Sequence, residues 1–117
     1  MMTRILALLL LLPAAAFAHH GAAAYDLGTP TTLQGTVTGF DWRNPHALIH
    51  FTADDQAWTA ETAGLIILNR AGWTRSSLKA GDRIAITGFR ARNGSPSMIL
   101  QRVVLADGRE LNNFVPR

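Results

Sequence analysis

Alternating apolar and polar positions predict that most of the chain after residue 30 forms β-strands. The clearest case is segment 46–53, in which every second residue from Ala47 onward is apolar and the intervening positions include His46 and His50. Successive side chains of a strand point to opposite faces. This segment is therefore predicted to be a strand with one face in the core and both histidines on the other face.

A long first strand is predicted over residues 31–42, which are rich in Thr and Val. Gly35 and Gly39 interrupt it, and glycines within a strand often mark a bend or a bulge. Turn signals at Asp54-Asp55 and Asn93-Gly94 separate the later strands. These later strands are predicted over residues 57–61, 83–92 and 98–105.

A single helix is predicted between the third and fourth strands. Thr62 is expected to cap a helix over residues 63–71, and Gly72 is expected to end it. Four consecutive large aliphatic residues, 65–68, predict a broad apolar surface on this helix.

The order of three strands, one helix and two strands predicts an all-β fold with one short helix. It is typical of a small five-stranded OB-like Greek-key barrel, in which the helix plugs the barrel between strands three and four. A small β-sandwich is the alternative architecture. Asp107-Gly108 is expected to turn the chain into a short C-terminal tail.

The N-terminal residues have the order of features of a secretory signal peptide. Arg4 precedes a short apolar run over residues 5–12, then Pro13 and the small-residue cleavage site Ala16-Phe17-Ala18. The apolar stretch is too short for the roughly 20 residues that a membrane-spanning helix needs. The chain contains no cysteine, so lipid anchoring through a cysteine is excluded.

We therefore expect cleavage of residues 1–18 and export to the periplasm, with no membrane span left after cleavage. Residues 19–30 are predicted to form an N-terminal arm, with Tyr25 as the candidate anchor, and residues 31–117 the barrel domain. The lack of cysteine excludes a disulfide scaffold and a thiolate metal site. The formal net charge of +3 is too small to indicate nucleic acid as a partner.

Cleavage after Ala18 would make His19 the first residue, with its α-amine and imidazole able to chelate one metal ion. The low pKa of an α-amine, about 7.7–8.0, lets it lose its proton for a metal near neutral pH. His46 is the preferred further ligand, because it follows a turn at the barrel rim. About 13 Å of strand separates it from His50. His20 or water would complete the site.

Imidazole and amine donors without sulfur predict Cu(II), ahead of Ni(II) and Zn(II). The sequence thus predicts a copper-handling protein that binds a metal ion, with a periplasmic protein as a candidate partner. Cleavage after Ala16 is an alternative, which would place His19 third in the mature chain, a position that also chelates Cu(II).

A metal-free alternative function is an envelope module that binds a protein or a glycan. Its binding face would surround Trp42, Leu48, Trp58 and Arg90. Barrel packing explains the tryptophans better than a binding face does. We predict no enzymatic activity, because no acid–base pair, activated nucleophile or glycine-rich phosphate loop is recognisable.

Several motifs of this chain resemble those of a family of exported proteobacterial proteins catalogued as domain of unknown function 6152. The motifs are His19-His20-Gly21, Tyr25-Asp26, Gly35-Thr36-Val37, Trp42-Arg43-Asn44-Pro45-His46, Gly72-Trp73-Thr74-Arg75, the segment 77–82 and Asp107-Gly108-Arg109-Glu110. The resemblance implies an exported small β-barrel of uncharacterised activity, and it favours His46 over His50. The chain departs from the family pattern in the alanines of residues 22–24, where a bulkier residue such as Trp is expected. This departure predicts weaker docking of the arm.

Overall fold

The computed structural model of the protein describes residues 21–114, and these form a closed β-barrel with one additional strand. The elements are a 3₁₀ turn (Ala22–Ala24), β1 (Thr31–Asp41), β2 (Leu48–Ala53), β3 (Gln56–Glu61), α1 (Leu65–Arg70), β4 (Arg83–Arg90), β5 (Ser97–Leu105) and β6 (Glu110–Asn112).

The barrel closes through a parallel pairing between β3 and β5. The strands follow the order β3-β2-β1-β4-β5-β6, and the neighbouring strands in this order are antiparallel. The closing contact runs from Thr59 opposite Ser97 to Glu61 opposite Ile99. This closure confirms the predicted OB-like barrel and excludes the β-sandwich.

The first strand bends as its glycines predict. β1 pairs with β4 as far as Thr36 and with β2 from Thr36 onward, and its register shifts between Val37 and Gly39. A second shift lies at Gly88 in β4, where an added Cβ would lie 2.7 Å from the sulfur of Met98. Such shifts increase local twist and help a small sheet to close on itself.

The core is built from the inward faces of the strands and from the connection after β3. In β2, Ile49 and Phe51 are buried, and His50 lies on the outer face, as the alternation predicts. Leu68 of α1 and Trp73 cover the barrel from the helix side. Burial of such aliphatic and aromatic side chains is the main source of stability in a domain of this size.

The predicted helix is shorter than expected, and its predicted cap is wrong. α1 begins after Gly64 rather than after Thr62. The Thr62 hydroxyl contacts the carbonyl oxygens of Ala47 and Ala63 instead. With only six residues, α1 buries one side chain fully, that of Leu68, so the predicted broad apolar surface is not buried as a whole. Ile66 and Ile67 are exposed.

Two further boundaries differ from the sequence prediction. β2 begins at Leu48, so His46 precedes the strand and lies in the loop that leads into it. The segment after Asp107-Gly108 is not a free tail, since β6 pairs with β5 from Arg102 to Val104. Next to β6, Asn113 is almost completely buried.

Candidate functional site

The loop with the sequence Asn44-Pro45-His46 packs against the segment that joins β3 to α1. The Asn44 side-chain oxygen accepts a hydrogen bond of 3.0 Å from the backbone N–H of Leu65, at the start of α1. A Cβ added to Gly64 would lie 3.2 Å from the carbonyl oxygen of Pro45. The close approach of the two segments holds His46 at one rim of the barrel.

The ring of His46 is oriented by a backbone carbonyl. Its Nδ1 lies 2.7 Å from the carbonyl oxygen of Thr62. A carbonyl oxygen can only accept a hydrogen bond, so Nδ1 is the protonated nitrogen. In the neutral ring the lone pair then belongs to Nε2, and the side chain is 48% exposed. A carbonyl that fixes Nδ1–H in this way is the usual support of a metal-binding histidine.

Glu61 is the functional candidate that sequence reasoning missed. It ends β3, and its Oε1 lies 3.4 Å from Nε2 of His46. In the sequence it has no evident partner, because 15 positions separate the two residues. The signal that could have identified it is the hairpin at Asp54-Asp55, whose register places Glu61 opposite Leu48, two residues after His46.

Tyr25 connects this pair to the N-terminal arm. Its side chain is buried and faces Glu61 and Ser97. Burial, followed by the negative charge of Glu61, raises the pKa of the Tyr25 hydroxyl above its usual range. We call His46, Glu61 and Tyr25 the rim cluster.

The arm docks through its main chain as well as through Tyr25. The N–H of Asp26 donates to the carbonyl of Arg90, and the N–H of Arg92 donates to the carbonyl of Ala24, both at 2.9 Å. Tyr25 and Ala91 form an antiparallel bridge between these bonds. The arm is therefore attached along the end of β4 although the alanines of its 3₁₀ turn supply no bulky anchor.

The other three histidines of the chain are His19, His20 and His50. His19 and His20 lie outside the described residues. His50 lies outside the rim cluster, and its Nε2 is 2.9 Å from Oδ2 of Asp41. This hydrogen bond lowers the pKa of the Asp41 carboxyl.

The Asp41–His50 pair gives a prediction about pH. Because the pKa of Asp41 is lowered in the folded protein, the pair stabilises the fold above the usual Asp pKa, and this contribution is lost as the pH falls through the lowered value. His50→Ala should return the Asp41 pKa toward its usual range, near 3.9. An NMR titration of the Asp41 carboxyl carbon measures this shift. An unchanged pKa in the variant would contradict the assignment of His50 as its cause.

The tryptophans serve mainly to pack the barrel. Trp58 and Trp73 are buried, and Trp42 packs edge-on against Phe40. The guanidinium of Arg90 lies 4.9 Å from the centre of the Trp58 ring. Part of the binding face proposed for the metal-free alternative is therefore occupied by packing contacts within the fold.

A groove of about 570 Å³ lies at the end of the barrel away from the rim cluster. It is lined by Asp54 and Asp55 of the hairpin between β2 and β3 and by Arg83 at the start of β4. The lining thus combines charges of both signs with apolar residues, which include Ile84 and Leu105.

Between residues 21 and 114, no group of three or more His, Cys, Asp or Glu side chains is placed to hold a metal ion. The rim cluster supplies two such side chains, His46 and Glu61, so a complete metal site there needs further donors. Met98 is fully buried and is not a surface ligand. The same part of the chain contains no helix with the length and apolar character to cross a bilayer.

These features define a small, closed, OB-like β-barrel with a His–Glu–Tyr cluster at one rim. The model of a family of unknown function, DUF6152, matches residues 7–100, and the chain belongs to this family. Searches among curated proteins and among solved structures find no match.

Proposed function

We propose that this protein binds Cu(II) in the periplasm, for copper storage, delivery or protection. His19, as the first residue after signal-peptide cleavage, supplies its α-amine and imidazole, and His46 supplies Nε2. His20 or water takes a remaining position. The observation that carries this proposal is the orientation of His46, whose Nδ1 is held by the Thr62 carbonyl while Nε2 is partly open to solvent.

Docking of the arm supports the proposed pairing of His19 with His46. Tyr25 faces Glu61, and Glu61 contacts His46, so the arm is attached next to the rim. Only His19 and His20 lie between Ala18, the end of the predicted signal peptide, and Gly21, the first described residue of the arm. Two residues of extended chain span about 7 Å, so the new N-terminus is tethered close to the described part of the arm.

The donor set favours Cu(II) over Cu(I). Nitrogen donors bind Cu(II) well, whereas Cu(I) prefers thiolate and thioether sulfur. The chain has no cysteine, and the buried Met98 is not available at the rim.

The experiment that tests this function combines intact mass with copper titration of protein purified from the periplasm. We expect a chain that begins at His19 and binds one Cu(II) with sub-micromolar affinity. Because the α-amine and the imidazoles must lose protons to bind, copper should be released as the pH falls from about 7 to about 5.

Acetylating the α-amine of His19 should lower Cu(II) affinity at least about tenfold, since the amine can then no longer act as a donor beside the imidazole. The titration that gives the wild-type affinity measures this loss, with circular dichroism as the control for folding. Equal affinity of the wild-type and acetylated chains would contradict the N-terminal site.

The groove at the opposite barrel end is the observation that favours the metal-free alternative. It offers an envelope protein or glycan a concave surface with Asp55 and Arg83 at its walls. The acetylated chain separates the two functions, because acetylation of the N-terminus leaves this groove unchanged.

A further inference from the structure

The first half of β1 has a strand beside it on one edge only. β1 pairs with β4 over residues 31–36, whereas its pairing with β2 begins at Thr36, opposite Thr52. Within residues 21–114, no strand therefore lies beside residues 31–35 on the edge opposite β4. We call this stretch the open edge.

The main-chain groups of Thr32 and Gln34 face the open edge. Val37 donates its N–H to the carbonyl of Asp82 at 2.8 Å, which continues the ladder between β1 and β4. Successive residues of a strand direct their N–H and C=O groups to alternate edges, so those of Thr32 and Gln34 point away from β4. Both residues are exposed. Their N–H donors and carbonyl acceptors are spaced to pair with an extended chain.

The open edge lacks the features that usually prevent the edge of a sheet from pairing. Natural edge strands are commonly protected by lysine or other charged side chains, by proline or by a bulge. Residues 31–35 include no charged residue and no proline, and their register with β4 is regular. This stretch of β1 is therefore competent to accept a further strand.

The groove adjoins the open edge and contributes negative charge. Its lining includes Gln34 and Gly35 of β1 and, in the turn after β2, Asp54 and Asp55. Neither aspartate forms an ion pair with another described residue. Arg83 also lines the groove but belongs to β4, on the other side of β1 from β2. Charge complementarity on the β2 side therefore favours a chain with basic side chains.

We propose that the open edge and the groove bind an extended segment of a partner protein that carries lysine or arginine. The segment adds to the barrel as a further strand, with main-chain hydrogen bonds to Thr32 and Gln34, while Asp54 and Asp55 select its basic side chains. This inference rests on the metal-free alternative, whose partner it narrows to a basic peptide. It does not depend on the copper site, which lies at the opposite end of the barrel.

The first test titrates the isotope-labelled protein with a six-residue peptide of alternating valine and lysine, acetylated and amidated at its ends. We expect the amide signals of Thr32 and Gln34 to shift and their hydrogen exchange to slow. A peptide with glutamate in place of lysine should bind at least about tenfold more weakly, because its charge has the same sign as the aspartates. The lysine peptide with methylated backbone nitrogens should not bind, because it cannot donate the main-chain hydrogen bonds.

Gln34→Pro tests the open edge itself. Proline removes the N–H that faces this edge and is tolerated in strands where the N–H has no partner. We expect affinity for the lysine peptide to fall at least about tenfold. Gln34→Ala is the matched control, since it removes the side chain but keeps the N–H, and its affinity should stay within about twofold of wild type. Circular dichroism shows whether both variants fold.

Asp54→Asn combined with Asp55→Asn tests the charge and does not depend on the proline variant. Both aspartates have positive φ, 51° and 60°, a conformation that asparagine also adopts, so the turn is retained. We expect affinity for the lysine peptide to fall about three- to tenfold. Asp26→Asn is the control, because it removes an exposed carboxylate outside the groove and keeps an oxygen for the N–H of Gly28.

Three results would overturn the inference. Equal affinity for the lysine and glutamate peptides would exclude selection for basic side chains. Amide shifts that leave out Thr32 and Gln34 would exclude strand addition at the open edge. A dimer that forms without peptide and protects these two amides would assign the edge to a second copy of the chain. The Cu(II) titration is independent of all three, so the copper proposal stands or fails on its own measurement.

Discussion

His46→Ala should weaken Cu(II) binding by more than about 100-fold. Loss of an outer-shell partner of a metal ligand typically costs 10- to 100-fold in affinity, and removal of a ligand itself should cost more. The variant removes Nε2, which the hydrogen bond from Nδ1 to the Thr62 carbonyl orients toward the proposed site. It also leaves Glu61 without its imidazole neighbour. Competition with a chelator of known Cu(II) affinity measures the change.

His50→Ala is the matched control for that experiment. It removes the same type of side chain from the outer surface of the barrel, but His50 is paired with Asp41 rather than with the rim cluster. We expect its Cu(II) affinity to stay within about threefold of wild type, because no proposed ligand is changed. Equal losses from the two substitutions would contradict the proposed geometry. Thermal unfolding of both variants shows whether the fold is retained.

Asn113→Ala should lower the free energy of unfolding by about 2–5 kcal/mol, the largest stability effect that we predict. The Asn113 side chain accepts a hydrogen bond from the N–H of Ala63 at 2.7 Å and donates one to the carbonyl of Leu100 at 2.8 Å. Both partners are buried, and each polar group left without a partner costs about 1–3 kcal/mol. A domain of this size is stable by only about 5–15 kcal/mol in total.

Chemical denaturation measures this loss, and Asn112→Ala provides the control. Asn112 is the neighbouring residue of the same type, but its contribution is a backbone carbonyl, which accepts a 2.7 Å hydrogen bond from the Trp73 ring and survives the substitution. If Asn113→Ala lowers the free energy of unfolding by less than about 1 kcal/mol, the hydrogen bonds of this side chain are not important for stability. Since Ala63 adjoins Thr62, a folded Asn113→Ala chain should also bind copper more weakly.

The barrel was predictable because its strands carry strong local signals. The alternation in residues 46–53 reflects one buried and one exposed face, and the hairpin turns at Asp54-Asp55 and Asn93-Gly94 need little tertiary context. The helix boundaries were less predictable. The residue that caps α1 from outside is Asn44, which lies 21 positions before Leu65, so no local pattern around Thr62 could indicate it.

Only part of the candidate site could be predicted from the sequence, because the rest depends on contacts between segments that are distant along the chain. His46 follows a recognisable Asn-Pro turn, so its place at the rim could be expected from the sequence. Its ring orientation and the nearness of Glu61 depend on the pairing of β2 with β3 and on the path of the chain after β3. Asn113 lies in what the sequence indicated as a tail, and its burial follows only from the pairing of β6 with β5.

By itself, the sequence determined the strand pattern, the single helix after β3, the barrel class and the absence of any thiolate donor. These properties depend on residue type and on spacing between near neighbours, which a linear pattern records. The tertiary structure alone decided which side chains meet at the rim. The pairing of β2 with β3 brings Glu61 to His46, and docking of the arm beside β4 brings Tyr25 to Glu61. Such contacts depend on the register of strands rather than on any local signal.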